Sequence, residues 1–449
     1  MTVAEGQFER RDLGRVRLHV FRVDRFKTCS VSVMIGRPLD ADAVTPTALV
    51  PFVLRRGTRQ IPETVRLRRR LDELFGASIE FDIQKRGDCQ LVRFRMDLTD
   101  ERFLVGRKPD RFSPTAEAFS LLGALLTDPA TEGGAFRRDY VEEEKRTLRE
   151  RQAAIVNDKT RYAAERCVHF MFEGQPYALS PLGLPDRIDA ITSETLYASY
   201  RQWMDGVPLD VYVVGAVDPD DAERWTADAF GEVFGIGTTS AEKPLYHPQS
   251  ASPGTSGPDG VRRIEEEMDI AQGKLCIGCH TGVTYADDEY PALLVYNGLL
   301  GAFPHSLLFR NVREKAGLAY YAFSGLDGHK GVLVVQAGIA PDKRQQAEAI
   351  VLEQLDALRE GRFADSDLEW TKRMIVRQLR ALRDSPHEIA AFDYNGVLSG
   401  RQRDPERLSE EVAEVTADGV RKVAATVEAD IVYFLRGRSR PAPASATSS

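Results

Sequence analysis

The residues LDELFGASIEFDI around Gly76 return in altered form as VREKAGLAYYAFS around Gly317, 241 positions further on. A second pair, VEEEKRTLRERQ from Val141 and LEWTKRMIVRQL from Leu368, matches Lys145 with Lys372 and Arg146 with Arg373 at a spacing of 227. Self-similarity at two places in the same order is the mark of a duplication. Whatever the first half folds into, the second must fold into as well.

The hydrophobic patterns agree with two copies. In the first half, alternating runs predict strands at 15–23 and 28–35, helices at 47–56 and 64–75, and a hairpin of 77–85 with 89–98. A polar loop at 107–114 precedes helices at 115–126, 136–158, 160–172 and 193–203, a strand at 211–214 and a helix at 219–230. Asp218 is placed to cap that last helix, with Pro219 at its first position. In the second half the patterns predict a strand at 274–280, helices at 289–300 and 306–316, and strands at 318–325 and 331–338. Helices at 343–360, 367–383, 388–398 and 408–425 and a strand at 431–435 follow, and Gly317 is placed as a left-handed residue after a helix. Trp203, Trp225 and Trp370 fall in helix patterns and read as core.

Strand runs separated by helix pairs predict the α+β class, each copy a mostly antiparallel sheet with helices packed on one face. The expected boundaries are 8–234 and 261–437, joined by a Ser-, Thr-, Pro- and Gly-rich linker at 235–260. The tail at 438–449 has the composition of disorder.

Composition excludes some functions. With 60 basic against 68 acidic side chains the net charge is −8, which argues against a nucleic-acid partner. The RLRRR run at 66–70 lies on a helix pattern and reads as a solvated face. No apolar run is long enough to span a membrane, and the first residues carry no apolar signal core. Five scattered cysteines read as reduced thiols, so a cytoplasmic protein is expected.

The chemistry is concentrated near Gly317. Arg313 and Tyr320 stand on either side of a helix-to-strand turn, where a guanidinium and a phenol can converge. The bland reading makes Arg313 a last-turn cation facing the helix dipole and Tyr320 a half-buried strand aromatic. Residues 276–280, CIGCH, fit a haem-attachment pattern but lie on an alternating apolar strand, so they read as buried thiols. None of the seven histidines forms an H-x-x-H or H-x-x-x-H pair, which excludes a local zinc helix.

The stretch NGLLGAFPHSLLFRNVREKAGLAYYAFSG at 297–325 resembles the C-terminal-domain signature of two-domain members of the M16 (insulinase, pitrilysin, mitochondrial processing peptidase) family. The element order extends the likeness over nearly the whole chain. The wording is closer still to a metal-less bacterial subgroup described as associated with elongation factor P 5-aminopentanol modification. The resemblance implies two tandem LuxS/metallohydrolase-like domains. Active members carry H-x-x-E-H followed by Gly-Thr, two imidazoles on one helix face with a general base between them. Aligning Gly57–Thr58 puts Ala48, Pro51 and Phe52 at those positions, and none offers zinc a lone pair. Glu150, seven after Glu143, lies where the family has its third ligand, and one carboxylate does not hold zinc. No cofactor is therefore expected in this chain.

Arg313 and Tyr320 match the family's substrate-contacting pair, which stabilises negative charge developing near the scissile bond. The resemblance thus implies a non-catalytic, substrate-binding subunit of a heterodimeric M16 peptidase. A homologous chain with intact H-x-x-E-H would bring zinc, and an extended peptide would bind between them. The alternative is an inactive M16-fold scaffold or peptide-binding protein with no part in proteolysis.

Overall fold

The structure, a computed structural model, describes residues 7–104, 113–234 and 260–437. The first half carries β1 (Phe8–Leu13), β2 (Val16–Arg22), β3 (Thr28–Pro38), α1 (Val44–Leu54), α2 (Thr64–Glu73), β4 (Ser78–Arg86) and β5 (Cys89–Thr99). It continues with α3 (Pro114–Thr127), the short pair β6 (Thr131–Glu132) and β7 (Ala135–Phe136), α4 (Arg138–Asn157), α5 (Lys159–Met171), α6 (Ser193–Gly206), β8 (Leu209–Gly215) and α7 (Pro219–Phe234). The second half carries β9 (Arg262–Met268), β10 (Gly273–His280), α8 (Tyr290–Asn297), two π-helical stretches π1 (Gly298–Ala302) and π2 (Phe309–Lys315), β11 (Ala319–Asp327) and β12 (Val332–Ile339). Then come α9 (Arg344–Arg359), α10 (Asp365–Ala381), α11 (Pro386–Ser399), α12 (Pro405–Ala413), α13 (Ala417–Ala424) and β13 (Glu428–Gly437).

The duplication is written into the sheets. One runs β1-β2-β8-β3-β5-β4 and the other, read from its far edge, β9-β13-β10-β12-β11. Apart from β1 the two orders correspond strand for strand. In each, one pair is parallel (β2 with β8, β9 with β13) and the rest are antiparallel. The matched lysines also do the same work. Lys145 Nζ bonds Glu142 at 3.1 Å and the Ile191 carbonyl at 2.9 Å, just ahead of Thr192, the cap of α6. Lys372 Nζ bonds Glu369 at 2.8 Å and the Val415 carbonyl at 3.2 Å, just ahead of Thr416, the cap of α13.

The two compact units are each discontinuous in sequence. The first takes in Leu379–Pro405 from the second half, and the second takes in Ile155–Gly174 from the first. The helix after each long lysine-bearing helix therefore serves the other copy's sheet. In the first unit, α11 packs Ile389, Ala390, Tyr394, Val397 and Leu398 against Met34, Cys89, Leu91 and Tyr212. Asp393 ties it down, accepting from both Arg10 nitrogens at 2.6 and 2.9 Å and from the Tyr212 hydroxyl at 2.8 Å. In the second unit, α5 buries Ala163, Cys167 and Met171, a stripe spaced by four, and Arg166 grips Glu266 of β9 at 2.6 and 2.9 Å.

The exchange explains a departure from simple alternation. In the first unit α1 meets the sheet through Phe52 at Phe81, on the face that Phe94 of β5 shares, whereas α11 meets Cys89 and Leu91 on the opposite face of β5. The half's own helix lies on one face, as the pattern predicts, and the borrowed helix closes the other. β8, covered on both sides, is buried throughout.

Other differences are local. The helix expected at 408–425 is two, because Val415–Thr416 breaks it and Thr416 caps the second. The helix at 306–316 and the end of the one at 289–300 are π-helical. β9, RRIEEEM, has charges on both faces, carries no strand period, and is an edge strand pinned by ion pairs such as Arg263–Glu348 at 2.8 Å. Trp203 is core, but Trp370 is 53% exposed. All five cysteines are free and buried. The linker at 235–260, save Gly260, and the tail at 438–449 lie outside the described residues.

Candidate functional site

Chain geometry isolates Arg313 and Tyr320 from the packing around them. Leu308 and Val312 are fully buried and anchor π2, while Arg310 pairs with Asp367 at 2.7 Å and Asn311 with Gln354 at 2.6 Å. The helix ends where the Ala316 N–H reaches Asn311 at 3.2 Å and the Leu318 N–H reaches Val312 at 3.1 Å. Gly317 takes φ +63°, as Gly76 takes φ +76° at the matching place in the first copy. Arg313 is exposed, its guanidinium carbon 4.6 Å from the Phe309 ring centroid.

Past the turn, pairing with β12 slips. Ala319 faces Ile339 and Tyr321 faces Gly338, so Tyr320 is the extra residue of a β-bulge. It is 77% exposed. Tyr321 is held instead: its hydroxyl lies 3.0 Å from Thr160 Oγ1, Lys274 Nζ stands 5.1 Å from its ring centroid, and burial raises its pKa. Sequence periodicity separates the two tyrosines by sheet face; the structure separates them by a bulge. Neither the Arg313 nor the Tyr320 side chain has a hydrogen bond or ion pair with any described residue. Both occupy irregular backbone, one a π-turn and one a bulge, of the kinds that concentrate at functional sites. The sequence carries no local signal for either irregularity.

Among its described residues the first copy offers a metal no set of ligands. Ala48, Pro51 and Phe52 lie on α1 and all are buried. Phe52 fills its place by stacking edge-on against Phe81, ring centroids 4.8 Å apart. Glu150 is exposed on α4. Among the described residues no group of three or more His, Cys, Asp or Glu side chains could hold a metal ion. Zinc, which the fold's relatives imply, does not fit these residues. The CIGCH thiols Cys276 and Cys279 are pushed up to about 12 by burial, as inert core thiols are.

A duplicated fold whose first copy lacks ligands and whose second displays an unpaired cation and phenol is that of a metallopeptidase homologue without its own metal. The model of the Peptidase M16 inactive domain matches residues 190–375. Over 430 residues the chain is 36% identical to the probable inactive metalloprotease YmfF of Bacillus subtilis (strain 168), spanning 94% of this chain and 96% of that protein. The chain belongs to the M16 peptidase family, among its inactive homologues. It is 27% identical over 302 residues to an uncharacterised zinc protease, SCO5738, of Streptomyces coelicolor, covering 66% of this chain and 64% of that one. A conserved protein from Enterococcus faecalis V583, known from its crystal structure, matches with a TM-score of 0.85 at 26% identity, over 97% of this chain and 100% of the other. Among the described residues no helix is long and apolar enough to cross a membrane.

Proposed function

We propose that this chain is the non-catalytic, substrate-binding subunit of a heterodimeric M16 metallopeptidase. A homologous chain with intact H-x-x-E-H brings the zinc and the general base. This chain brings Arg313 and Tyr320 to the backbone of an extended peptide, where a guanidinium and a phenol stabilise developing negative charge. The observation that carries the reading is that these two side chains are exposed and unpaired on irregular backbone, while the helix of Ala48, Pro51 and Phe52 is packed solid.

Mixing the chain with a family member that retains H-x-x-E-H, and following cleavage of a peptide library, tests it. The chain alone is expected to be silent and the mixture active. A mixture whose turnover is unchanged by both Arg313→Ala and Tyr320→Phe would remove the assigned role. Silence with every such partner favours the scaffold reading instead.

A further inference from the structure

The place a metal would take in the first copy carries positive charge of its own. Arg55, the residue capping the C-terminus of α1, has its guanidinium carbon 5.3 Å from the Phe81 ring centroid. Arg151 on α4 stands 4.7 Å from the Phe52 centroid and 5.5 Å from that of Phe81. Phe52 and Phe81 form one aromatic floor, and both cations stand on it. Both are exposed, and neither side chain has a hydrogen bond or ion pair with any described residue. Arg56 beside them is engaged through its two terminal nitrogens, bonding Glu143 at 2.5 Å and Glu144 at 3.2 Å. Glu144 spends one oxygen on Arg56, and its charge opposes that of Arg55 at Arg151. Burial first, and then the charge of Arg55, pull the Arg151 guanidinium below its ordinary value, with the charge of Glu144 opposing them.

We infer that Arg55 and Arg151 form a binding site for a carboxylate group, built over the phenyl ring that replaced a metal ligand. A cation resting on an aromatic face keeps its N–H edge for a ligand, and that edge matches a planar carboxylate in two parallel bonds. Phosphate suits the place less well. Arg55 sits at the carbonyl end of α1, whose partial negative charge opposes a doubly charged group. The carboxylate has two sources, a small free acid or the C-terminus of a peptide. The inference does not rest on the roles proposed for Arg313 and Tyr320.

Titration calorimetry of the full chain, with no peptidase present, tests it using acetate and acetyl-trialanine as free acid and as C-terminal amide. The free acid is expected to bind at least about tenfold more tightly than the amide. Arg55→Met and Arg151→Met, which keep apolar contact with the rings, each weaken it about tenfold without shifting the unfolding midpoint. Arg146→Met, on another face of α4, leaves binding unchanged. Acetate binding as well as the tripeptide acid assigns the site to small acids, and a clear preference for the tripeptide assigns it to peptide termini; either upholds the inference. Equal binding of acid and amide, no carboxylate binding up to about 10 mM, or tighter binding of orthophosphate overturns it.

Discussion

Gly36 on β3 and Gly278 on β10 sit on corresponding strands, each directly after an isoleucine and each beneath the helix its sheet borrows from the other half. A Cβ on Gly36 would lie 2.9 Å from Tyr394 Oη of α11 and 3.0 Å from Cys89 Sγ. On Gly278 it would lie 2.9 Å from Met171 Sδ and 3.3 Å from Cys167 Sγ, both on α5. Valine is otherwise the better strand residue. Gly36→Val and Gly278→Val are nonetheless expected to destabilise by about 1–3 kcal/mol through overpacking, read by denaturant unfolding. Unchanged stability in both would show that the glycines do not set the helix seats.

The matched lysines give a second test. Lys145 is 4% exposed and joins two stretches of chain through the Ile191 carbonyl. Lys145→Met keeps most of the volume and leaves that carbonyl unpaired, a loss of about 1–3 kcal/mol. Lys372→Met should follow in the same direction by less, since its bond to Val415 is longer at 3.2 Å. Denaturation of both variants and the double measures this.

Removing Arg313 or Tyr320 should separate function from stability. Each is exposed and unpaired, so Arg313→Ala and Tyr320→Phe should leave stability within about 0.5 kcal/mol of the parent. In the mixed-chain assay each should lower kcat by about 10²–10³, the loss typical of an oxyanion donor. A fall in activity matched by a fall in melting temperature would point to misfolding instead.

Chelation should do nothing to the isolated chain. With Ala48, Pro51 and Phe52 packed in α1, EDTA is expected to leave the melting temperature unchanged, and elemental analysis to find no stoichiometric zinc. Phe52→Ala removes a fully buried ring and should cost about 3–5 kcal/mol, the magnitude of a core cavity rather than of a surface change.

Acid should loosen the second unit through Glu266. Burial pushes its carboxyl up, but the two bonds from Arg166 and the 2.7 Å bond from the Tyr433 hydroxyl outweigh that, leaving it below the usual glutamate range. Because the folded value is depressed, the stabilisation is complete above the unfolded value of about 4.3 and is lost as pH falls through the folded one. Glu266→Gln should cost roughly 1–2 kcal/mol at neutral pH and flatten the acid limb of a stability–pH curve. Parallel limbs for the two proteins would rule the residue out as a contributor.

Much of this architecture is legible in the residues. The repeat around Gly76 and Gly317 gives two copies of one unit, and the left-handed φ of both glycines follows from their place after a helix. The β4–β5 hairpin falls within a residue of its expected bounds. That Ala48, Pro51 and Phe52 offer no lone pair to a metal can be read from the residues alone. Periodicity fails where tertiary structure decides. The stripe of Ala163, Cys167 and Met171 shows that α5 buries a face, not which sheet receives it. A π-turn and an α-turn place apolar residues too similarly for a seven-residue pattern to tell them apart. The Ile-Gly pairs at 35–36 and 277–278 do mark both helix seats, but as a close-approach signal that acquires meaning only once the exchanged helices are seen.

The exchange of α5 and α11 also binds the fates of the two copies. A chain split between residues 234 and 260 would give two polypeptides, each holding a complete set of strands yet lacking the helix that seals one wall of its core. Neither fragment could finish folding by itself, and co-expression would be the way to recover either. What began as a tandem duplication has become mutual dependence, since each copy's sheet is sealed by a helix that the other half supplies.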